Sequence, residues 1–234
     1  MIIEFNPLAN INYYDIDKYK IQGFIYSLLK DTEFANYHDV KGFKFFNFSN
    51  IFPVSNFVYG DQKTLIISSP SSAFIKILYY QLSKMDVFRL DKYFMEIKKL
   101  KLIKKTSCSN SLITGTPVVL FKNNNENRYF SFNNSDGVDF NFFFKRLKNN
   151  AVKKYNAYTD DNFDLDSELF DSFEINREVS IRMNIRNNKF IIIGSLWKLE
   201  KNISNYEKKF YNFLFDVGLG EKNSLGFGFL NNRR

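Results

Sequence analysis

Two patterns of apolar residues alternate along the chain. Short runs in which every second residue is apolar predict strands, and longer stretches with apolar residues three and four positions apart predict helices. Within residues 15–30 the apolar side chains form one stripe of a helix, made of Ile21, Phe24, Ile25, Leu28 and Leu29. The first half predicts, in order, a strand at 2–5, a helix at 15–30, strands at 43–48 and 65–68, a helix at 71–85 and a strand within 88–102. This order is that of a ferredoxin-like domain.

The second half repeats the same order of elements. It predicts strands at 118–121 and 128–132, a helix at 139–155, strands at 172–184 and 189–198, a helix at 206–217 and a closing strand at 226–230. The fold class is therefore α+β, with two tandem ferredoxin-like (RRM-like, βαββαβ) domains. Residues 107–116 are rich in Ser, Thr, Asn and Gly and predict the boundary, which gives domains at 1–110 and 111–234.

The charge is uneven along the chain. The 33 Lys and Arg exceed the 25 Asp and Glu, a net charge of +8. Residues 160–178 hold eight acids and one base, so the rest of the chain has 32 bases and 17 acids, a net charge of +15. The basic residues 89–105 fit either a solvated strand and loop or a surface that contacts phosphates. The acidic stretch predicts a solvent-facing surface that avoids RNA.

The composition excludes several classes of site. One cysteine excludes a disulfide within the chain and a Cys-cluster zinc site, and one histidine excludes a multi-histidine metal site. We therefore expect neither a metal nor another cofactor. The apolar runs are far shorter than the ~20 residues of a membrane-spanning helix. The first residues also lack the basic start of a secretory signal, so we expect a cytoplasmic protein with no membrane partner.

A tyrosine, a histidine and two lysines form the first candidate site. Tyr26 falls outside the apolar stripe of its helix, and His38 follows in a polar segment that also holds Lys41 and Lys44. RNA cleavage needs a proton taken from the 2′-hydroxyl, a proton given to the leaving 5′-oxygen, and a cation against the phosphate. His38, Tyr26 and Lys44 supply those groups without a metal. A structural or incidental histidine is the alternative interpretation.

A glycine-rich segment at 218–228 forms the second candidate site. It holds four of the ten glycines of the chain. Free backbone N–H groups beside polar side chains would suit a phosphate chain. The segment lacks the Gly-Lys-Ser/Thr ending of a P-loop, and it follows a predicted helix rather than a strand, unlike a dinucleotide fingerprint. A helix C-cap followed by a glycine bulge is the alternative. The predicted RNA-binding residues are Gly218, Gly220, Lys222, Asn223, Ser224, Gly226 and Gly228.

Three segments of the chain together resemble one family. Residues 23–26, 37–44 and 218–228 are similar to the CRISPR repeat-processing endoribonucleases, the Cas-six family of the RAMP superfamily. The resemblance spans the chain from end to end. It implies two tandem ferredoxin-like domains and metal-independent cleavage of precursor CRISPR RNA within each repeat. The implied products carry a 5′-hydroxyl and a 2′,3′-cyclic (or 3′) phosphate. CRISPR repeat RNA is the implied partner. The resemblance leaves open whether the protein also joins an effector complex or forms a homodimer.

The resemblance also implies roles for single residues. The Tyr, His, Lys triad of the archaeal-type members maps to Tyr26, His38 and Lys44. His38 would carry the main proton transfer, Lys44 would stabilise the phosphate, and Tyr26 would position the substrate or transfer a proton. Lys41 would bind RNA. Phe43 stands where the family has a proline before the last lysine.

Three other functions fit parts of the sequence. Residues 41–48 approach the RNP1 pattern of a non-catalytic RRM-like RNA-binding protein. They depart from it at Lys44 and Phe46, and they follow the first helix, whereas RNP1 lies on the third strand. A cleavage-dead subunit that only holds repeat RNA would share the glycine segment but would not need His38. A structural subunit of a larger ribonucleoprotein is the third alternative.

Overall fold

A computed structural model of the protein describes residues 1–39, 41–103, 107–123, 128–132, 139–185 and 188–233. The two halves of the chain form separate antiparallel sheets, each with its own helices and its own apolar core. Across these described ranges, no helix combines the length and the apolar character needed to cross a membrane.

The first half forms a five-stranded sheet. Its elements are β1 (Ile2–Pro7), α1 (Lys18–Leu28), β2 (Asn47–Phe48), β3 (Lys63–Ser68), α2 (Ser72–Leu82), β4 (Val87–Leu90) and β5 (Tyr93–Lys101). The strand order is β2-β3-β1-β5-β4, and every neighbouring pair is antiparallel. Without β4, this is the order of a ferredoxin-like sheet, as predicted.

The second half forms the same arrangement. Its elements are β6 (Ser111–Thr114), β7 (Phe121–Asn123), β8 (Arg128–Tyr129), α3 (Phe140–Thr159), β9 (Ser172–Ile185), β10 (Asn188–Glu200), α4 (Lys208–Val217) and β11 (Leu230–Asn232). The main sheet has the order β11-β6-β10-β9, and β7 pairs with β8 separately. The order again matches a ferredoxin-like domain, so the predicted fold class is confirmed.

The structure corrects three details of the predicted elements. The strand predicted within 88–102 is confirmed as β5, and a further strand, β4, precedes it, because Asp91 adopts a left-handed conformation (φ 56°) and turns the chain between the two. The predicted strand at 43–48 is reduced to its last two residues. Residues 118–119 make only isolated bridges, and β6 lies inside the polar segment predicted as the boundary. Leu112 and Thr114 of β6 point inward, and the polar composition of this segment concealed that alternation.

Helix α1 carries the first candidate residue and is firmly placed. Asp17 caps its first turn by accepting the backbone N–H of Lys20 at 3.0 Å. The predicted stripe packs into the first core, where Ile25 is fully buried. Tyr26 projects from the side of this stripe and remains half-buried, so the helix holds its ring at the edge of the core rather than inside it.

Candidate active site

The rings of Tyr26 and His38 are in direct contact. Their centroids lie 5.0 Å apart at an interplanar angle of 82°. His38 ends a short 3-10 helix (Ala35–His38), and its side chain is 57% exposed. The imidazole is therefore open to solvent beside a phenol, rather than sealed in an apolar interior.

Asp39 orients the imidazole of His38. Its Oδ1 lies 2.9 Å from Nδ1 of the ring. A neutral histidine that donates from Nδ1 presents an unprotonated Nε2, which can accept a proton. Asp39 has no role in the sequence-based prediction, although a carboxylate hydrogen-bonded to one ring nitrogen is a common means of fixing a histidine tautomer.

The charge of the Asp39 carboxylate also acts on Lys44. Burial lowers the pKa of its amine, and the negative charge of Asp39 opposes that shift. Its Nζ lies 5.7 Å from the centroid of the Tyr37 ring, and the Tyr37 hydroxyl accepts the backbone N–H of Phe45 at 2.9 Å. Asp39 thus interacts with both His38 and Lys44, and Tyr37 anchors the segment that carries Lys44. Sequence analysis gave Tyr37 no role, because a lone aromatic residue in a polar segment carries no distinctive pattern.

The phenol of Tyr26 is protonated at neutral pH. Burial raises its pKa to about 12, a hydrogen bond from the Ser224 side chain acts in the opposite direction, and Tyr37 adds a small increase. A protonated phenol donates a hydrogen bond, so Tyr26 acts as a donor at this site. One turn earlier on α1, Gln22 Nε2 donates to the Ser224 carbonyl oxygen at 2.9 Å, which joins this helix to the glycine-rich segment of the second domain and brings the two candidate sites together.

The glycines of the segment 218–228 are buried in close packing. A Cβ atom on Gly228 would lie 1.9 Å from the carbonyl oxygen of Leu219, and one on Gly226 would lie 2.4 Å from the Phe48 ring. Gly218 ends α4 with φ 86°, as the C-cap alternative describes. Gly220, also at positive φ, packs equally tightly against backbone. At these four positions glycine allows the segment to pack closely against its surroundings, because a side chain would collide with neighbouring atoms.

Several amides of this segment are already occupied. The N–H groups of Gly218, Gly226 and Gly228 donate to backbone carbonyls at 2.7 Å each. The expected run of free N–H groups is therefore wrong at these three positions, and contact between the glycines and RNA stays a prediction. The reason is that these N–H groups donate to the end of α4, to the segment itself and to Pro117, all within the second domain.

The polar residues of the segment divide into buried and accessible ones. Asn223 is buried, and its amide donates to the carbonyls of Leu219 (2.9 Å) and Phe227 (3.0 Å). Lys222 and Ser224 are half-buried, and Lys222 lies 5.2 Å from the ring centroid of Phe121. Burial lowers the pKa of Lys222, and Glu221 opposes that shift. Asn223 thus shapes the segment, whereas Lys222 and Ser224 reach its surface.

The remaining predicted bases differ in their surroundings. Lys41 is exposed in the segment between His38 and Lys44. On β5, Lys98 pairs with Glu96 at 2.6 Å and Lys101 pairs with Glu4. Two of the basic residues in 89–105 therefore form ion pairs with acidic residues of the same sheet. No group of three or more metal-ligating side chains occurs among the residues that the structure describes.

Comparisons with known proteins agree with this arrangement. The family model "CRISPR associated protein Cas6, C-terminal" matches residues 97–232. A Methanocaldococcus jannaschii protein named CRISPR-associated endoribonuclease Cas6 2 is 41% identical over 98% of this chain and 97% of its own length. The chain belongs to the Cas6 family. The resemblance predicted from residues 23–26, 37–44 and 218–228 is thereby confirmed.

Solved structures show that the Cas6 fold extends over the whole chain. A structure titled CRISPR associated protein Cas6 superimposes with a TM-score of 0.72 at 24% identity, and covers all of this chain and 98% of its own. A second, titled as an RAMP protein binding different RNA substrates, also gives a TM-score of 0.72, at 17% identity and with the same coverage. At these identities the two structures support the fold alone.

Proposed function

We propose that this Cas6 protein cuts precursor CRISPR RNA within its repeats at a site formed by Tyr26, His38 and Lys44. Membership of the Cas6 family makes the chain a CRISPR-associated endoribonuclease. The observation that supports the site is the contact between the Tyr26 and His38 rings beside Asp39, whose charge also acts on Lys44.

The arrangement supports attack by the 2′-hydroxyl on the neighbouring phosphorus. Nε2 of His38 accepts the proton of the 2′-hydroxyl, the bond from O2′ to phosphorus forms, and the bond from phosphorus to O5′ breaks. The leaving O5′ receives a proton from the Tyr26 hydroxyl or from a water molecule, which gives a 5′-hydroxyl end and a 2′,3′-cyclic phosphate. The amine of Lys44 offsets the charge on the pentacoordinate phosphate, and the protonated Tyr26 donates to a phosphate oxygen or to the leaving oxygen. No step needs a metal ion.

RNA binding would extend from this site along both domains. Lys41 adjoins it, and Lys222 and Ser224 place polar groups at the surface of the glycine-rich segment. We propose that these residues contact CRISPR repeat RNA and that the packed glycines and Asn223 fix the path of the segment beneath it. We infer a cytoplasmic location, where the transcript is present. An effector complex and a second copy of the chain are further proposed partners, and gel filtration with and without RNA tests the second.

Cleavage of an end-labelled repeat RNA in EDTA tests the proposal. The wild-type protein should cut once per repeat, and His38→Ala should bind the RNA but lose ~10²–10⁴-fold in cleavage rate, the usual contribution of general acid–base catalysis. Asn36→Ala is the matched control, because Asn36 is exposed in the same 3-10 helix. A 2′-deoxy sugar before the scissile phosphate should block the reaction. Equal cutting by His38→Ala, or a strict need for Mg²⁺, would reject this mechanism.

A further inference from the structure

Buried polar side chains of the first domain hold the glycine-rich segment of the second. Lys18 on α1 and Asn47 on β2 are both buried, and each donates hydrogen bonds to backbone carbonyl oxygens of the second domain. Burying a donor is costly unless an acceptor meets it, so these two side chains favour one arrangement of the two domains.

The amine of Lys18 lies between the two domains. Its Nζ donates to the Gly226 carbonyl oxygen at 2.8 Å and to Asn50 Oδ1 at 3.1 Å. It also lies 5.5 Å from the ring centroid of Phe48 in the first domain and 5.3 Å from that of Phe227 in the second. Burial lowers the pKa of the amine to about 7, so contacts with two acceptors and two rings offset the cost of placing it here.

Asn47 connects the edge of the first sheet to the same segment. It begins β2, the edge strand, and its Nδ2 donates to the Phe227 carbonyl oxygen at 2.9 Å and to that of Val217 at 3.3 Å. A Cβ atom on Gly218 would lie 2.0 Å from this amide nitrogen. Glycine at 218 thus makes room for a side chain of the other domain.

Gln22 adds a third connection between the domains. One turn after Lys18 on α1, its Nε2 donates to the Ser224 carbonyl oxygen at 2.9 Å and to Ser224 Oγ at 3.2 Å. Together these contacts set the place of Lys222 and Ser224, the surface residues of the segment, relative to the first domain. That domain carries the proposed cleavage site, so the same contacts set the distance between the RNA-binding surface and the reacting groups.

We propose that Lys18 and Asn47 are positioning residues that determine which phosphate of the repeat is cut. The inference rests on the proposed function, in which RNA held on the glycine-rich segment enters a site that lies in the first domain. When the docking of the domains is loosened, the segment shifts relative to His38, and a neighbouring phosphate reaches the imidazole instead. Both side chains are buried, so they act through the arrangement of the domains rather than by touching the RNA.

Mapping the cut position at single-nucleotide resolution tests this role. Protein in saturating excess is mixed with end-labelled repeat RNA, and the products are compared with an alkaline ladder of the same RNA. Lys18→Met keeps an unbranched side chain but removes the donor to Gly226, and Asn47→Ala removes the amide. In each variant the fraction of product cut at neighbouring phosphates should rise about tenfold, within the range for a buried hydrogen-bonding group left unpaired. Lys30→Met, at an exposed lysine just after the same helix, is the matched control and should leave the pattern unchanged.

The position of the cut separates positioning from a merely structural role. Partial unfolding lowers the amount of active protein and hence the rate, but the folded fraction still cuts at the original phosphate. An unchanged cut position in either folded variant, Lys18→Met or Asn47→Ala, would overturn the inference. Where neither folds, as judged by the emission of the buried Trp197, Gln22→Leu decides: cuts at neighbouring phosphates support the inference, and the wild-type pattern overturns it. If His38→Ala is inactive while the cut position is unchanged in these variants, only this inference fails; if His38→Ala cuts normally, the proposed function fails.

Discussion

Replacing Lys154 with methionine tests how strongly a buried lysine stabilises the glycine-rich segment. The substitution keeps an unbranched side chain but leaves three buried oxygens, on Gly218, Gly220 and Asn223, without their donor. Each buried acceptor left unpaired costs ~1–3 kcal/mol, so the low end of that range gives a loss of about 3 kcal/mol in the free energy of unfolding. A domain is typically stable by only ~5–15 kcal/mol, so this loss is readily measured.

Urea unfolding followed by fluorescence measures that loss. Trp197 is the single tryptophan and is buried in the second core, so its emission reports on the domain that holds the segment. Lys153→Met is the matched control, because Lys153 is the exposed neighbour on the same helix. It should change the free energy of unfolding by less than ~0.5 kcal/mol. Equal stability of the Lys154→Met and Lys153→Met proteins would refute the reasoning.

The pH dependence of stability gives a second measure of the same lysine. Burial lowers the pKa of Lys154 from 10.5 to about 7, and Glu221 opposes that shift. Between these values the unfolded chain binds a proton that the folded chain lacks, so the free energy of unfolding rises with pH. In Lys154→Met this contribution is absent, and the rise between pH 7 and 10 should be less steep by up to ~1.4 kcal/mol per pH unit. If the free energy of unfolding depended on pH in the same way in the wild type and in Lys154→Met, the lowered pKa of Lys154 would be contradicted.

Three further predictions test the packing and the site. Gly228→Ala should lower the melting temperature more than Gly60→Ala, because both glycines have positive φ but only at position 228 would the new Cβ meet a backbone oxygen, at 1.9 Å; calorimetry showing equal shifts would contradict this. Tyr37→Phe removes the acceptor that anchors the segment carrying Lys44. It should cost about 1 kcal/mol of stability and slow single-turnover cleavage, and unchanged values of both would argue against the anchor. Burial raises the pKa of Cys108 to about 12, so its thiol should react slowly with a disulfide reagent at pH 8 in the folded protein and quickly in urea. Equal reaction rates would count against that burial.

The first helix and its candidate tyrosine could be predicted from sequence because the signal is local. The apolar stripe from Ile21 to Leu29 fixes the buried face, and Tyr26 then falls beside it. The ferredoxin-like order could also be predicted, since both halves repeat it. Strand β6 could not, because it is only four residues long, its inward positions are Leu112 and Thr114, and it lies in a segment rich in Ser, Thr, Asn and Gly.

The packing of the glycine-rich segment depends on contacts that are distant in sequence. A lysine in a helix such as Lys154 ordinarily faces solvent, and nothing nearby indicates that it meets carbonyls more than sixty residues later. The glycine pattern was compatible with a phosphate site and with a helix C-cap followed by a bulge, and the structure shows Gly228 against the Leu219 backbone and Gly226 against the Phe48 ring. Local pattern identified the segment, and only the tertiary fold showed why glycine is needed there.

The position of β11 determines when, during synthesis of the chain, the second sheet can be completed. This strand pairs with β6, the first strand of its sheet, and Ser224, which accepts hydrogen bonds from Gln22, lies only a few residues before it. A nascent chain on the ribosome could assemble the first sheet early, yet Gln22 and Lys18 would then face water until residues 224–226 emerged. The contacts between α1 and the glycine-rich segment therefore form only after residues of both domains have been synthesised.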